Sequence, residues 1–278
     1  MLLQSIDPHF AIAGFLVGAL VGLTGVGGGA LMTPILIVLF GVAPTTAVGT
    51  DLLFAAATKS VGSLVHGFNR TIDWTVVRRL ATGSIPATAF ALLLLSTLHV
   101  VGGAGQLITA VLAVALFSTA VVLILRNVIS AFYLRRFGDL DDRTIAALTI
   151  AMGALLGVLV TLSSVGAGAI GVTALVLLYP RMPTARIVGS DIAHAVPLTL
   201  VAGLGHGAMG SIDLFVLVSL LVGSFPGIFV GSSLSSRIPD VALRYVLAVV
   251  LVVLGGKLLT DLPTHSNPSA VAIQTQAH

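Results

Sequence analysis

The stretch TDLLFAAATKSVGSLVHG, residues 50–67, sets three ionisable side chains among apolar neighbours. On a helix that advances roughly 100° per residue, Asp51, Lys59 and His66 fall at roughly 0°, 80° and 60°, so they share one face. An ionised lysine near the middle of an apolar span costs about 2.5–3.5 kcal/mol on insertion scales. Lys59 is therefore expected to face an anion path, or to form a structural pair with Asp51. A related stretch, SDIAHAVP at 190–197, carries Asp191 and His194, with His206 further along. Histidine changes charge near neutrality, which makes His66 and His206, with Asp51 and Asp191, candidates for proton coupling and His194 a candidate for substrate contact. Structural roles compete at each. The two aspartates could cap helices, with Thr50 and Ser190 as rival caps. His66 and His206 each precede a glycine and fit the last helical turn before a left-handed residue. Asp73 in TIDW and Asp213 in SIDL read as caps at span starts, and Ser84 and Ser224 as hydroxyls that satisfy backbone at proline bends.

Two glycine-rich stretches carry a second kind of chemistry. Residues 22–34 read GLTGVGGGALMTP and residues 161–173 read TLSSVGAGAIGVT, both inside long apolar runs. Non-helical backbone at membrane depth needs protein or a water-filled cavity to satisfy its polar groups. A helix restarting after such a break presents unpaired N–H groups and its positive dipole end, which together make an anion site from backbone. The substrate-binding candidates are Thr24, Gly25, Gly27, Gly28, Gly29 and Thr33 around the first break, and Ser163, Ser164, Gly166, Gly168 and Thr173 around the second, with Lys59 and His194. The competing role for the glycines is tight turning and helix packing.

The elements that position these residues follow from composition. Hydrophobic residues make up 57% and charged residues 8% of the 278 residues, and mean hydropathy is +1.13. That is far more apolar surface than a soluble core can hide, so the chain reads as an integral membrane protein. Apolar segments lie near 10–41, 47–67, 74–97, 103–126, 144–180, 187–208, 212–235 and 241–259. Most match the roughly 20 residues of a spanning helix, and none alternates with the period of a barrel strand. The net charge of +3 comes from basic residues in short loops, which fits membrane orientation and gives no reason to expect nucleic acid. There is no cysteine, which excludes disulfides and thiolate chemistry, and no cofactor or metal is expected. MLLQSIDPH holds no lysine or arginine before the first apolar run, so the first span is expected to act as its own insertion signal.

Residues 14–97 align with 153–236 at an offset of 139, rising to 140 after one inserted residue near 186. The alignment pairs Gly27 with Gly166, Gly29 with Gly168, Asp51 with Asp191, His66 with His206 and Asp73 with Asp213, whereas Lys59 meets Thr199 and Phe54 meets His194. The expected organisation is a first membrane repeat at 10–126, a cytoplasmic linker at 127–143, a second repeat at 144–260 and a disordered polar tail at 261–278. Segment 10–41 would be about 48 Å long as unbroken helix, well beyond a core of roughly 30 Å. It must break, either as a hairpin or as one kinked crossing. With hairpins in both halves, eleven loop arginines fall on one side and only Lys257 lies near the other; with single crossings the arginines divide seven to four. The hairpin is favoured, re-entrant or fully spanning. Each half then crosses an odd number of times. The predicted fold is an all-α integral membrane protein of two inverted-topology repeats, each a broken or re-entrant helical hairpin plus about three transmembrane helices, with both termini away from the cytoplasm.

A GVGGG hairpin leading into MTP, then AVGT, then a second half about 140 residues later resembles the sulfite exporter TauE/SafE family, also called toluene sulfonate uptake permeases. The resemblance covers about residues 10–259. It implies a transporter of small sulfur-containing anions in the inner cell membrane, with sulfite, sulfate, thiosulfate or an organosulfonate as substrate. One departure is Asp51 after AVGT, and Asp191 in VGSD, where members of the family often carry an uncharged residue. The expected partners are the lipid bilayer, the sulfur oxyanion or sulfonate, and protons. Two other readings stay open: an intramembrane hydrolase using Ser163 or Ser164 with His194 or His206, and a passive anion channel. No GxSxG and no GxxxxGK[ST] occurs.

Overall fold

The computed structural model describes residues 6–24, 29–100, 102–136, 141–234 and 240–260. Gly25, Gly27 and Gly28, and the tail at 261–278, lie outside the described residues. The described chain is helical throughout: α1 (Pro8–Thr24), α2 (Gly29–Val38), α3 (Pro44–Phe68), α4 (Trp74–Val100), α5 (Ala104–Arg136), α6 (Asp142–Ser163), α7 (Ala169–Leu178), α8 (Thr184–Ala208), α9 (Leu214–Leu234) and α10 (Asp240–Thr260). Six of these helices contain stretches long and apolar enough to cross a membrane: α4, α5, α6, α8, α9 and α10. The chain is therefore a multi-pass membrane protein. Helix α5 continues through residues 127–136, the first part of the stretch expected to be linker.

The second glycine-rich stretch interrupts helical structure and is fully described, while at the first α1 ends at Thr24 and α2 begins at Gly29. Helix α6 ends where Ser164 turns left-handed at φ 58°, and Gly166 and Gly168 both take φ 123°, a region that only glycine enters cheaply. Ser163 Oγ donates to Leu159 O at 2.6 Å and accepts from Val165 N at 3.2 Å, closing the helix end. The two arms are unequal. Helix α6, with 22 residues, is about 33 Å long, whereas α7, with 10 residues, is about 15 Å and crosses only half a bilayer core. Arg79 fixes where they begin and end. Its Nη2 lies 2.8 Å from Asp142 Oδ2 at the first residue of α6, and its Nη1 donates to Tyr179 Oη, just past α7, at 3.2 Å. The end of α7 is thus held beside the start of α6. Asp141 caps α6, and the hydrogen bonds from Thr144 hold its carboxyl below the usual carboxylate range.

Helices pair across the halves. α1 packs along α9 and α4 along α6, while α3 crosses α8 and α5 lies against α10. Glycine permits the closest of these approaches: a Cβ added at Gly14, Gly18, Gly223 or Gly227 would run into backbone of the partner helix, and Gly83, Gly153 and Gly157 do the same between α4 and α6. Asp73 N donates to Ser190 Oγ at 2.8 Å, and Asp213 N donates to Thr50 Oγ1 at 3.0 Å, so matching bonds tie each half to the other.

Several local expectations change. Asp51 and Asp191 do not cap helices, because α3 and α8 start earlier, at Pro44 and Thr184, and enclose both aspartates in the second turn. Thr50 and Ser190 do not cap their own helices either, since their hydroxyls accept from the other half. The left-handed residue after α3 and α8 is not the glycine after the histidine. It is Arg70 (φ 53°) and Gly210 (φ 71°), with Thr71 N returning to His66 O and Ser211 N to His206 O, both at 3.0 Å. Asp73 and Asp213 do cap, accepting from Val76 N at 3.3 Å and Val216 N at 3.0 Å.

Candidate functional site

Helices α3 and α8 run side by side through the interior, which explains why α3 carries polar groups that an apolar span could not: it faces protein rather than lipid. Lys59 on α3 is 8% exposed and extends to the second break, where its Nζ donates to Ala167 O at 3.4 Å. Ala167 lies between the two positive-φ glycines, so its carbonyl is one that no helix satisfies. Asp51 and Asp191 both interact electrostatically with Lys59. Neither comes within the 4.0 Å of an ion pair. The cluster therefore holds one ammonium and two carboxyl groups, all buried.

Each aspartate faces the first turns of the short helix in its own half. Asp51 Oδ2 accepts from Thr33 N at 3.2 Å and from Thr33 Oγ1 at 2.5 Å on α2. Asp191 is met by the backbone of Gly168, the residue that caps α7, and a Cβ at Gly171 would collide with its Oδ1. The positive helix ends expected to be open to an anion thus each look at a carboxyl group of the protein. Two buried polar atoms near Lys59, Asp191 Oδ1 and His194 Nδ1, have no hydrogen-bond partner, while the Ser164 hydroxyl faces Asp51 without meeting hydrogen-bond geometry. Buried polar atoms are nearly always paired. A pair of orphans near one ammonium is what a polar guest or water would complete.

His194 donates or accepts through Nε2 with Ser84 Oγ at 2.8 Å, a pairing between α8 and α4. Ser84 thus serves a side chain rather than bent backbone, and its counterpart Ser224 has no partner for Oγ, because the residue matching His194 is Phe54. His66 and His206 each sit against the other half's helix two residues before its aspartate, His66 Nδ1 beside Gly189 and His206 Cβ beside Gly49. Fifteen residues, about 22 Å of helix, separate each from the aspartate on the same helix. His66 Nδ1 pairs with Thr71 Oγ1 at 2.7 Å, and His206 Nε2 with Thr161 O at 3.0 Å. Thr173 is buried on α7, and Gly29 and Thr24 stand at the two helix ends that flank the first break. Neither Ser163 nor Ser164 is hydrogen-bonded to a histidine, which leaves the hydrolase reading without its nucleophile–base pair.

The sulfite exporter TauE/SafE family model matches residues 10–258. The chain belongs to the TauE/SafE family. The family assignment agrees with the relatives of this TauE/SafE member. "Probable membrane transporter protein YjnA" of Bacillus subtilis (strain 168) is 38% identical over 255 residues, covering 89% of this chain and 98% of the relative. "Probable membrane transporter protein YdhB" of the same organism is 25% identical over 247 residues, covering 88% and 97%. A "Probable membrane transporter protein" of Xylella fastidiosa (strain 9a5c) is 26% identical over 226 residues, covering 81% and 83%. No solved structure matches. A TauE/SafE member is a membrane transporter, and the Lys59 cluster is one buried polar contact between its halves.

Proposed function

We propose that the chain is a secondary transporter of small sulfur-containing anions, sulfite, sulfate, thiosulfate or an organosulfonate, bound at the centre of the membrane beside Lys59 and the two helix breaks. The observation that carries this reading is Lys59 itself: a buried ammonium from the first half held by a backbone carbonyl of the second half's break, among polar atoms without partners. A buried charge at membrane depth is costly to keep unless it acts on something. Thr33, Ser164, Thr173, Gly168 and His194 supply the surrounding polar groups, and the short helices add their positive ends.

In this reading the halves are inverted in the bilayer. Its support is the exchange of contacts: α1 with α9 against α6 with α4, and Asp213 with Thr50 against Asp73 with Ser190. Asp7 N donates to Ser219 Oγ near the start of α9, so the first hairpin starts beside α9, whereas the second starts beside Arg79 near the start of α4. The loops rich in arginine then face the cytoplasm of an inner-membrane protein and both termini face away. Transport by such proteins runs by rocking one part against another around a fixed midplane site. Protons are the coupling ion that the buried carboxyl groups make available.

The test is uptake into proteoliposomes of radiolabelled sulfite, sulfate, thiosulfate and methanesulfonate, driven by an anion gradient or a proton gradient. Saturable uptake of at least one is expected. Protein that moves none of them under either gradient removes the proposal.

A further inference from the structure

The two aspartates look alike in sequence and differ in what holds them. Asp51 Oδ2 receives both donors of Thr33. At the offset of 139 that relates the halves, the residue matching Thr33 is Val172, buried on α7 and without a hydroxyl. Asp191 consequently has only the backbone of Gly168 before it; Oδ1 of either aspartate is buried with no partner, so the difference lies in the hydroxyls of Thr33 and Ser164, which face Asp51 alone. Gly171 closes in on Asp191 Oδ1, leaving no space for a side chain that might donate.

A carboxylate taken out of water needs donors for its lone pairs, and one that lacks them is costly while charged. Adding a proton removes that cost and converts an acceptor into a donor. The charges around Lys59 point the same way. With both aspartates ionised the cluster carries one positive and two negative charges, and an arriving anion would meet net repulsion beside a helix end already faced by a carboxylate. With Asp191 neutral the cluster balances, its hydroxyl can donate, and the first turn of α7 is released for the guest.

We propose that Asp191 carries the proton that travels with the anion, while Asp51 stays ionised as the fixed counter-charge of Lys59. This rests on the anion-transport reading above and adds the coupling ion and its carrier. No bond other than that between oxygen and the proton changes: the proton joins a carboxylate oxygen of Asp191 from one side of the membrane and leaves it to the other with the anion. The groups around Asp191 leave few rivals. α3 contributes Lys59 and, beside Gly189 two residues before Asp191, the His66 ring, whose Nδ1 pairs with Thr71 Oγ1; α7 contributes only backbone and Gly171, and α8 itself contributes His194 one turn on. α4 contributes Ser84 through His194, and just before α4 Asp73 pairs with Arg186 near the start of α8 at 3.3 Å. α6 brings the apolar Leu156 beside Gly171.

The test uses the full chain in proteoliposomes loaded with a pH-sensitive dye, with sulfate, thiosulfate and methanesulfonate as probes because their charge is constant between about pH 5 and 8. Sulfite is left out because it takes up a proton itself near neutrality. For wild type, an inward anion gradient is expected to bring protons in, and affinity is expected to tighten by up to about tenfold per unit fall in pH, the slope for one proton bound per anion. Asp191→Asn is expected to move anion without protons and with affinity flat in pH. Asp191→Asn that still carries protons, or His194→Phe that abolishes the flux while Asp191→Asn does not, overturns the assignment and leaves anion transport standing. Wild type that handles none of these probes, and takes up no sulfite in the uptake assay above, overturns both. Val172→Thr tests the idea with Asp191 intact. It supplies the hydroxyl that Thr33 gives Asp51 and is expected to move the pH profile of coupled uptake by about one unit toward acid; an unmoved profile also overturns the assignment.

Discussion

Lys59 reaches from α3 in one half of the chain to Ala167 O, 3.4 Å away in the broken segment of the other. The contact joins the one described buried lysine to a carbonyl freed by two positive-φ glycines, so neither half holds the centre alone.

Replacing that lysine is the narrowest test of the site. Lys59→Met keeps the apolar stem and removes the charge, so the fold is expected to survive while anion affinity falls by at least about tenfold, near 1.4 kcal/mol. Equilibrium binding to purified protein, beside a thermal melt in detergent, measures both. Unchanged affinity takes Lys59 out of the site.

Arg70 sits left-handed where the second half has Gly210. A side chain in that conformation costs roughly 1–2 kcal/mol. Arg70→Gly should therefore raise stability by about 1 kcal/mol. Unfolding curves in mixed micelles are the measurement, and a drop in stability would show that Arg70 earns its place through contacts at the membrane surface.

Close helix packing predicts a sharp contrast between two glycines. A Cβ at Gly227 meets the backbone of Phe15 and Ala19 on α1, whereas one at Gly256 on α10 meets nothing within 4 Å. Gly227→Val should cost several kcal/mol or abolish folding, as overpacking does. Gly256→Ala should stabilise by up to about 1 kcal/mol through helix propensity. Detergent-resistant yield and melting temperature separate the two, and equal tolerance would refute the packing account.

The sidedness of the hairpins can be read by labelling, since the chain has no native cysteine. His9→Cys and Leu39→Cys mark the two ends of the first hairpin, and both wild-type residues are exposed. Asn69→Cys and Ala185→Cys mark the ends of α3 and the start of α8. An impermeant maleimide added to intact cells should label the first pair only. Labelling of one member from each pair would break the inverted arrangement.

The helix breaks were legible because glycine leaves an unmistakable gap in an apolar run and the gap recurs in the second half. Arginine placement alone favoured a hairpin, and Arg79 contacts Asp142 at the start of α6 and Tyr179 just past α7. What could not be read were partners set by how helices cross. Nothing in the spacing of Ser84 or Thr33 points to His194 or Asp51, because those bonds depend on which faces of α4, α8, α2 and α3 meet. The repeat offered a partial signal at Val172, whose lack of a hydroxyl beside Thr33 distinguishes the aspartates. Reading Asp51 and Asp191 as caps misplaced the helix starts, since each lies seven residues inside its helix, which begins at Pro44 or Thr184.

Because α1 is zipped to α9 and α4 to α6 at backbone distance, each half completes its packing only with helices borrowed from the other. A gene cut between α5 and α6 should thus yield two fragments that are each incompetent when made separately but reassemble when made together. Evolution could have reached such a chain by fusing two copies that already depended on one another as a pair.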